Sequence, residues 1–226
     1  RMPYSPVSVD SLAWYPSGTP GLESMHYDAR DEVVSLIYPG QEEGMVGVPR
    51  TLAPDAPPQQ DHRTVGELTF TASFKSSLRP EQEPFVADCF RMLETEHGGI
   101  GEAPTGFGKT VCGAALICAI GRPTCIIVPK GDLDWKPELL AHTDIPESRI
   151  DKWQGQSLPS PDAWVVVASL QSIYREGIYP EEVYRRFACV MFDEVHRLGA
   201  PEFSAAMRKF PAMLRLGFSA TAERRD

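Results

Sequence analysis

Residues 99–120 read GIGEAPTGFGKTVCGAALICAI, and their centre, Ala103-Pro-Thr-Gly-Phe-Gly-Lys-Thr110, has the spacing of a phosphate-binding loop with alanine at the usual first glycine. The spacing has a physical purpose. Gly106 and Gly108 can take backbone conformations closed to most residues, so successive N–H groups can wrap around phosphate oxygens. The apolar stretch that follows predicts a helix over 109–120, whose positive N-terminal end would face the same anion. In such a loop Lys109 reaches the β- and γ-phosphates of a nucleotide, and Thr110 offers its hydroxyl to Mg2+. Taken alone, the pattern also fits a glycine-rich turn with a surface lysine, so the surrounding chain has to decide.

Outward from the loop, short apolar runs alternate with helical stretches. TCIIVP (124–129), WVVVAS (164–169), CVMFDE (189–194) and LRLGFS (214–219) are β-rich and lack polar alternation. Runs of that kind suit strands buried on both faces of a parallel sheet. Helices are expected at 109–120, 133–142, 169–175, 180–187 and 202–209. Another is expected in LRPEQEPFVADCFRMLETEHGG, with Pro80 near its start and a Gly-Gly stop. A strand is expected just before the phosphate loop. Alternating β and α elements imply a three-layer α/β domain with a mostly parallel sheet.

The segment RRFACVMFDEVHRLGA (185–200) puts Asp193 and Glu194 at the carboxyl end of a buried strand. Ligands of open α/β sheets bind beyond that end. Adjacent carboxylates there are unfavourable unless a cation or a reaction uses them. Asp193 is placed to hold a Mg2+ shell, and Glu194 to orient and deprotonate an attacking water. By itself the pair also fits an exposed acidic turn; beside a phosphate loop the functional reading leads.

Composition frames these motifs. The 226 residues are 42% hydrophobic and 9% aromatic, an ordinary globular composition. No apolar run approaches the roughly 20 residues needed to span a bilayer. Net charge is −9; residues 1–66 carry 4 basic and 9 acidic side chains, and residues 67–226 carry 18 and 22. Neither part is a basic block, so charge alone does not point to nucleic acid. The five cysteines, Cys89, Cys112, Cys118, Cys125 and Cys189, lack CxxC spacing and sit among apolar neighbours. They read as small core side chains in a reducing compartment rather than as a disulfide or zinc framework. Nine of the 21 prolines fall in residues 1–66, which read as a small β-containing appendage ending in a proline-rich linker. Within it, residues 31–50 suggest two short strands around a turn at Pro39-Gly40.

Five motifs stand in a telling order: LRPEQ (78–82), APTGFGKT (103–110), VPKGDL (128–133), DEVH (193–196) and SAT (219–221). In that order the chain resembles the N-terminal, RecA-like motor domain of superfamily 2 helicases, in the XPB/UvsW-like branch. The resemblance covers residues 78–226 and implies ATP and Mg2+ as cofactors and DNA as partner. By it, Arg79 and Gln82 match the segment that reads adenine. Pro104, Thr105, Gly106, Phe107, Gly108, Lys109 and Thr110 match the triphosphate cradle, with Thr110 and Asp193 on Mg2+. Lys109, Asp193 and Glu194 match the catalytic set. His196, Ser219 and Thr221 match the coupling residues, and Pro129, Lys130 and Ser169 sit where the family touches nucleic acid. Lys130 also fits a plain solvated loop lysine. Ala222 stands where relatives often carry proline after Ser-Ala-Thr, a change that removes no functional group.

The resemblance implies that 67–226 is the first RecA-like domain and that a second, carrying arginine fingers, would normally follow the SAT segment. The expectation is a monomeric front half of an ATP-dependent DNA helicase or translocase. By itself it should bind ATP weakly, turn over slowly and not unwind DNA. Two alternatives stand beside it: a non-unwinding double-strand translocase, and a DNA- or partner-binding module acting through residues 1–66. The expected location is the cytoplasm, including that of a phage-infected host, or the nucleus of a eukaryote.

Overall fold

The computed structural model describes six N-terminal strands, then residues 68–129, 135–173, 179–195, 206–207 and 209–220. The N-terminal strands are β1 (Leu12–Pro16), β2 (His26–Ala29), β3 (Glu32–Ser35), β4 (Tyr38–Pro39), β5 (Met45–Pro49) and β6 (Gln60–Asp61). They form an antiparallel sheet in the order β4-β5-β1-β6 and a separate β2-β3 pair. The expected pairing across Pro39-Gly40 is present, with Tyr38 opposite Gly47 and Pro39 opposite Val46. The first expected strand is split, because Glu32–Ser35 pairs instead with His26–Ala29. Pro39, which cannot donate to a ladder, lies on the edge strand β4.

The second part is an α/β domain. In chain order it runs α1 (Gln82–Thr95), β7 (Gly98–Glu102), α2 (Lys109–Ile120), β8 (Thr124–Val128) and α3 (Trp135–His142). A 3-10 turn at Glu147–Arg149 leads into β9 (Ile150–Trp153) and β10 (Val165–Ser169). Then follow α4 (Leu170–Ile173), α5 (Glu181–Arg185), β11 (Cys189–Phe192) and β12 (Leu214–Ser219). The six strands β7–β12 form one sheet in the order β7-β12-β11-β8-β10-β9. Every pairing in it is parallel.

The apolar runs explain the layering. Alternate residues of one strand enter opposite cores: Ile126 and Val128 of β8 join one, Cys125 and Ile127 the other. Strand β10 divides the same way, with Val165 and Val167 on one face and Val166 and Ala168 on the other. Both faces are covered, so the strands carry no polar alternation. Helices α1, α2 and α3 cover the first face, with α2 packed between the other two. Gly101 in β7 is needed by this packing, since a Cβ there would stand 2.7 Å from the ring of Phe85 and 2.9 Å from Cys89 Sγ. Trp153, Tyr184, Phe187 and Phe210 fill the second face.

The expected strands and helices are found with ends shifted by a residue or two, apart from three differences. Strand β9 was not expected, because Ile150-Asp-Lys-Trp153 buries only its two ends and reads as polar. The 169–175 helix spans Leu170–Ile173, and residues 174–175 lie outside the described residues. Most of the 202–209 helix also lies outside them, with residues 206–207 and 209 helical. The cysteines are free, and all but Cys118 are buried. Burial pushes the Cys112 thiol up to about 11 and the Cys89 thiol up to about 12. Among the described residues, no helix is long and apolar enough to cross a membrane.

Candidate nucleotide-binding site

The loop at 103–108 is stretched between the end of β7 and the start of α2, at the carboxyl ends of the strands. Its entry is fixed by the neighbouring strand: Ala103 donates its N–H to the Ser219 carbonyl at 2.9 Å, continuing the β7–β12 ladder. Its turn is closed by Phe107 N–H on the Pro104 carbonyl at 3.1 Å. Gly106 and Gly108 take φ of +81° and +85°, the left-handed region that side chains resist. A Cβ at Gly108 would also lie 2.6 Å from Gln82 Nε2 and would push that amide aside. Pro104, Thr105 and Gly106 are exposed, while Thr110 is half-buried on the first turn of α2.

Lys109 is the first residue of α2 and is only 8% exposed. Its ammonium donates to the Ala103 carbonyl at 3.0 Å and the Pro104 carbonyl at 3.4 Å, and lies 3.7 Å from Glu194 Oε1. The cation is thereby held inside the curve of the loop, facing the acidic pair.

That pair ends β11. Asp193 N–H donates to the Ile127 carbonyl of β8 at 2.9 Å, which anchors the backbone where the strand stops. Its carboxylate accepts the Trp135 indole N–H, Nε1 to Oδ2, at 2.9 Å. Burial raises the Asp193 pKa, the Trp135 hydrogen bond opposes that rise, and the neighbouring Glu194 charge adds to it. Glu194 itself has φ of +51°. For a non-glycine residue that conformation is strained and is found where surroundings over-determine it, often at functional sites.

Arg79 and Gln82 converge on the same loop. Gln82 Oε1 accepts the Arg79 backbone N–H at 2.9 Å, and Gln82 Nε2 donates to the Phe107 carbonyl at 2.7 Å. The Arg79 guanidinium donates to that same carbonyl and lies 5.9 Å from the Phe107 ring centroid. Phe107 also meets Phe85 of α1 edge-on, at 5.2 Å. The residues matched to adenine reading are therefore tied directly to the phosphate loop.

Ser219 is buried at the end of β12, opposite Glu102 in register. Pro129 is half-buried just past β8, and Ser169 closes the adjacent β10. The Ser169 hydroxyl is buried against the Ser172 hydroxyl at 2.8 Å. Lys130, His196 and Thr221 lie outside the described residues. The sequence reading missed Trp135, which touches Asp193. Its signal was a lone tryptophan in the polar segment DLDWKPE, at the start of an expected helix.

The donor set fits Mg2+, which is commonly held by one or two carboxylates together with waters and substrate phosphates. Asp193 and Thr110 would supply the protein side of that shell. The loop, Lys109 and the N-terminus of α2 together suit a polyphosphate.

The chain is similar to several known proteins. The family described as "Type III restriction enzyme, res subunit" matches residues 75–224. A DNA 3'-5' helicase XPB from Kineococcus radiotolerans is 31% identical over 157 residues, covering 66% of this chain and 27% of that protein. The chain thus spans little more than a quarter of that relative's length. Among solved structures, the UvsW helicase of bacteriophage T4 aligns with a TM-score of 0.52 at 20% identity, over 69% of this chain and 57% of the other. A Sulfolobus solfataricus SWI2/SNF2 ATPase core, solved with dsDNA, aligns with a TM-score of 0.56 at 18% identity, over 68% and 34%. The matched family and the shared fold agree: the chain belongs to the family described as "Type III restriction enzyme, res subunit", and its α/β domain has the RecA-like fold of these helicase and ATPase cores.

Proposed function

We propose that residues 67–226 bind ATP with Mg2+ and hydrolyse it to drive movement on DNA, as the first domain of a helicase or translocase motor. The observation that carries this reading is the Lys109 ammonium, enclosed by the loop carbonyls and 3.7 Å from Glu194 Oε1. That ion-pair distance puts the proposed phosphate-binding cation directly beside the candidate base.

In this reading the loop N–H groups and Lys109 hold the β- and γ-phosphates. Mg2+, when bound, neutralises charge on the phosphate oxygens. Asp193 and Thr110 face that metal. Glu194 orients a water and accepts its proton as the water oxygen bonds to the γ-phosphorus and the bond to the ADP oxygen breaks. Arg79 and Gln82 meet the base and, through the Phe107 carbonyl, report its presence to the loop. DNA as the track is supported by the DNA helicase relative and the dsDNA-bound structural neighbour. Pro129, Lys130 and Ser169 are the proposed contacts, and His196, Ser219 and Thr221 the proposed coupling set.

The 226-residue chain supplies one wall of the cleft. An arginine finger from a facing domain is worth about 10³–10⁵ in rate, so the chain alone should turn over slowly. Residues 1–66, acidic in balance, are proposed as an accessory unit that packs against the motor more than it binds phosphate. The test is steady-state ATPase activity, with and without DNA, on this chain and on a version joined to a second RecA-like domain. DNA stimulation only in the two-domain version supports the reading. Equal, DNA-indifferent hydrolysis by both would leave a nucleotide site and remove the motor.

A further inference from the structure

We infer that Trp135 is a positioning residue for the metal site, one that fixes the Asp193 carboxylate from the start of α3. The inference rests on the Mg2+-ATP reading of the same site. The indole reaches three elements. Its N–H donates to Asp193 Oδ2 at 2.9 Å. Its ring stacks on Phe218, with centroids 6.3 Å apart and planes 18° apart, one residue before Ser219. Its far edge lies against Gly113 of α2, where a Cβ would stand 2.4 Å from the ring.

A glycine in mid-helix is unfavourable relative to alanine. Its presence at 113, against an indole 2% exposed, leaves room for the far edge of the ring beside α2. With one face on Phe218 and the far edge against Gly113, the ring is fixed with its N–H on Asp193. A hydrogen bond to a metal-ligating carboxylate limits its rotation, and loss of such a partner commonly weakens metal affinity 10–100-fold.

The test titrates Mg2+ against binding of a fluorescent ATP analogue to the 226-residue chain. Four forms are compared: wild type, Trp135→Phe, Asp193→Ala and the double variant. Trp135→Phe keeps an aromatic body and removes the N–H. It is expected to raise the half-saturating Mg2+ concentration about 10-fold, while adding less than about 2-fold in the Asp193→Ala background, where the partner is gone. Gly113→Ala, which pushes the ring from its other side, should give a shift in the same direction and decides the matter if the phenylalanine variant does not fold. An unchanged Mg2+ requirement in Trp135→Phe, or an equal shift with and without Asp193, overturns the inference. If wild type shows no Mg2+-dependent binding at all, the nucleotide reading fails, and the inference falls with it.

Discussion

The Lys109 ammonium and the Glu194 carboxylate stand 3.7 Å apart, and Glu194 is held there by a backbone at φ +51°. The two residues start a helix and end a strand 85 positions apart in the chain, and only the parallel sheet order brings β7 and β11 to either side of β12. The left-handed turn aims the Glu194 side chain at the loop rather than along the strand.

That conformation makes a clean comparison possible. Glu194→Ala and Glu194→Gly both delete the carboxylate and leave the same Lys109 contacts to Ala103 and Pro104. At an ordinary position glycine is the less stable of the two by about 0.5–1 kcal/mol. Here the order should invert, with Glu194→Gly more stable by about 1 kcal/mol, because a Cβ is resisted in this region. Urea denaturation of the two variants reads the difference directly.

Glu194→Gln keeps the shape and removes the base. Nucleotide binding should persist within a few-fold, while hydrolysis by the two-domain form falls by about 10²–10⁴. Lys109→Ala should instead lose binding, since the cation proposed to face the phosphates is gone. Isothermal titration with a nonhydrolysable analogue, beside a phosphate-release assay, separates the two outcomes.

Gly113→Ala sets helix propensity against packing. In an open helix the change gains about 1 kcal/mol. Against the Trp135 ring, 2.4 Å from the new Cβ, it forces a displacement of large buried groups. Overpacking of that kind costs about 1–3 kcal/mol. The net expectation is lower stability, and a thermal melt showing a gain would mean that the indole moves freely.

Gln82→Ala removes the 2.7 Å hydrogen bond from Nε2 to the Phe107 carbonyl, which joins the start of α1 to the phosphate loop, and the local 2.9 Å bond that Oε1 accepts from the Arg79 N–H. The Phe107 carbonyl would keep the Arg79 guanidinium, so the loss of stability should stay near 1–2 kcal/mol. Preference for ATP over GTP should fall in the same variant, because the amide proposed to read the base is gone. Competition binding with the two nucleotides checks this.

Much of the domain could be read before the structure, because its signals are contiguous. The phosphate loop occupies eight adjacent residues, and each central strand is an apolar run that needs no partner to be recognised. What escaped depends on distance or on position in the sheet. Trp135 and Asp193 are 58 residues apart, and nothing local in DLDWKPE announces the hydrogen bond. Strand β9 lies at the sheet edge, where one side needs no apolar cover, so Asp151 and Lys152 hide it. The φ of Glu194 is imposed by its surroundings and leaves no mark in residue type.

The buried thiols give a prediction about alkali. Burial raises Cys89 and Cys189 to about 12 from an ordinary value of 9.0. Folding therefore favours the protonated thiols, and their contribution to stability is fully present below pH 9. Between pH 9 and about 12 the unfolded chain loses those protons while the folded chain keeps them. Each such thiol then lowers stability by up to about 1.4 kcal/mol per pH unit. Tyrosines and lysines also titrate there, so the useful measurement is a difference. Cys189→Ala should start less stable than wild type, because a core atom is lost, and then fall less steeply as pH rises from 9. Two parallel curves would mean that the Cys189 thiol ionises in the folded chain as readily as in the unfolded one. Alkylation gives an independent reading: at pH 8 iodoacetamide should modify Cys89 and Cys189 only after urea has unfolded the domain.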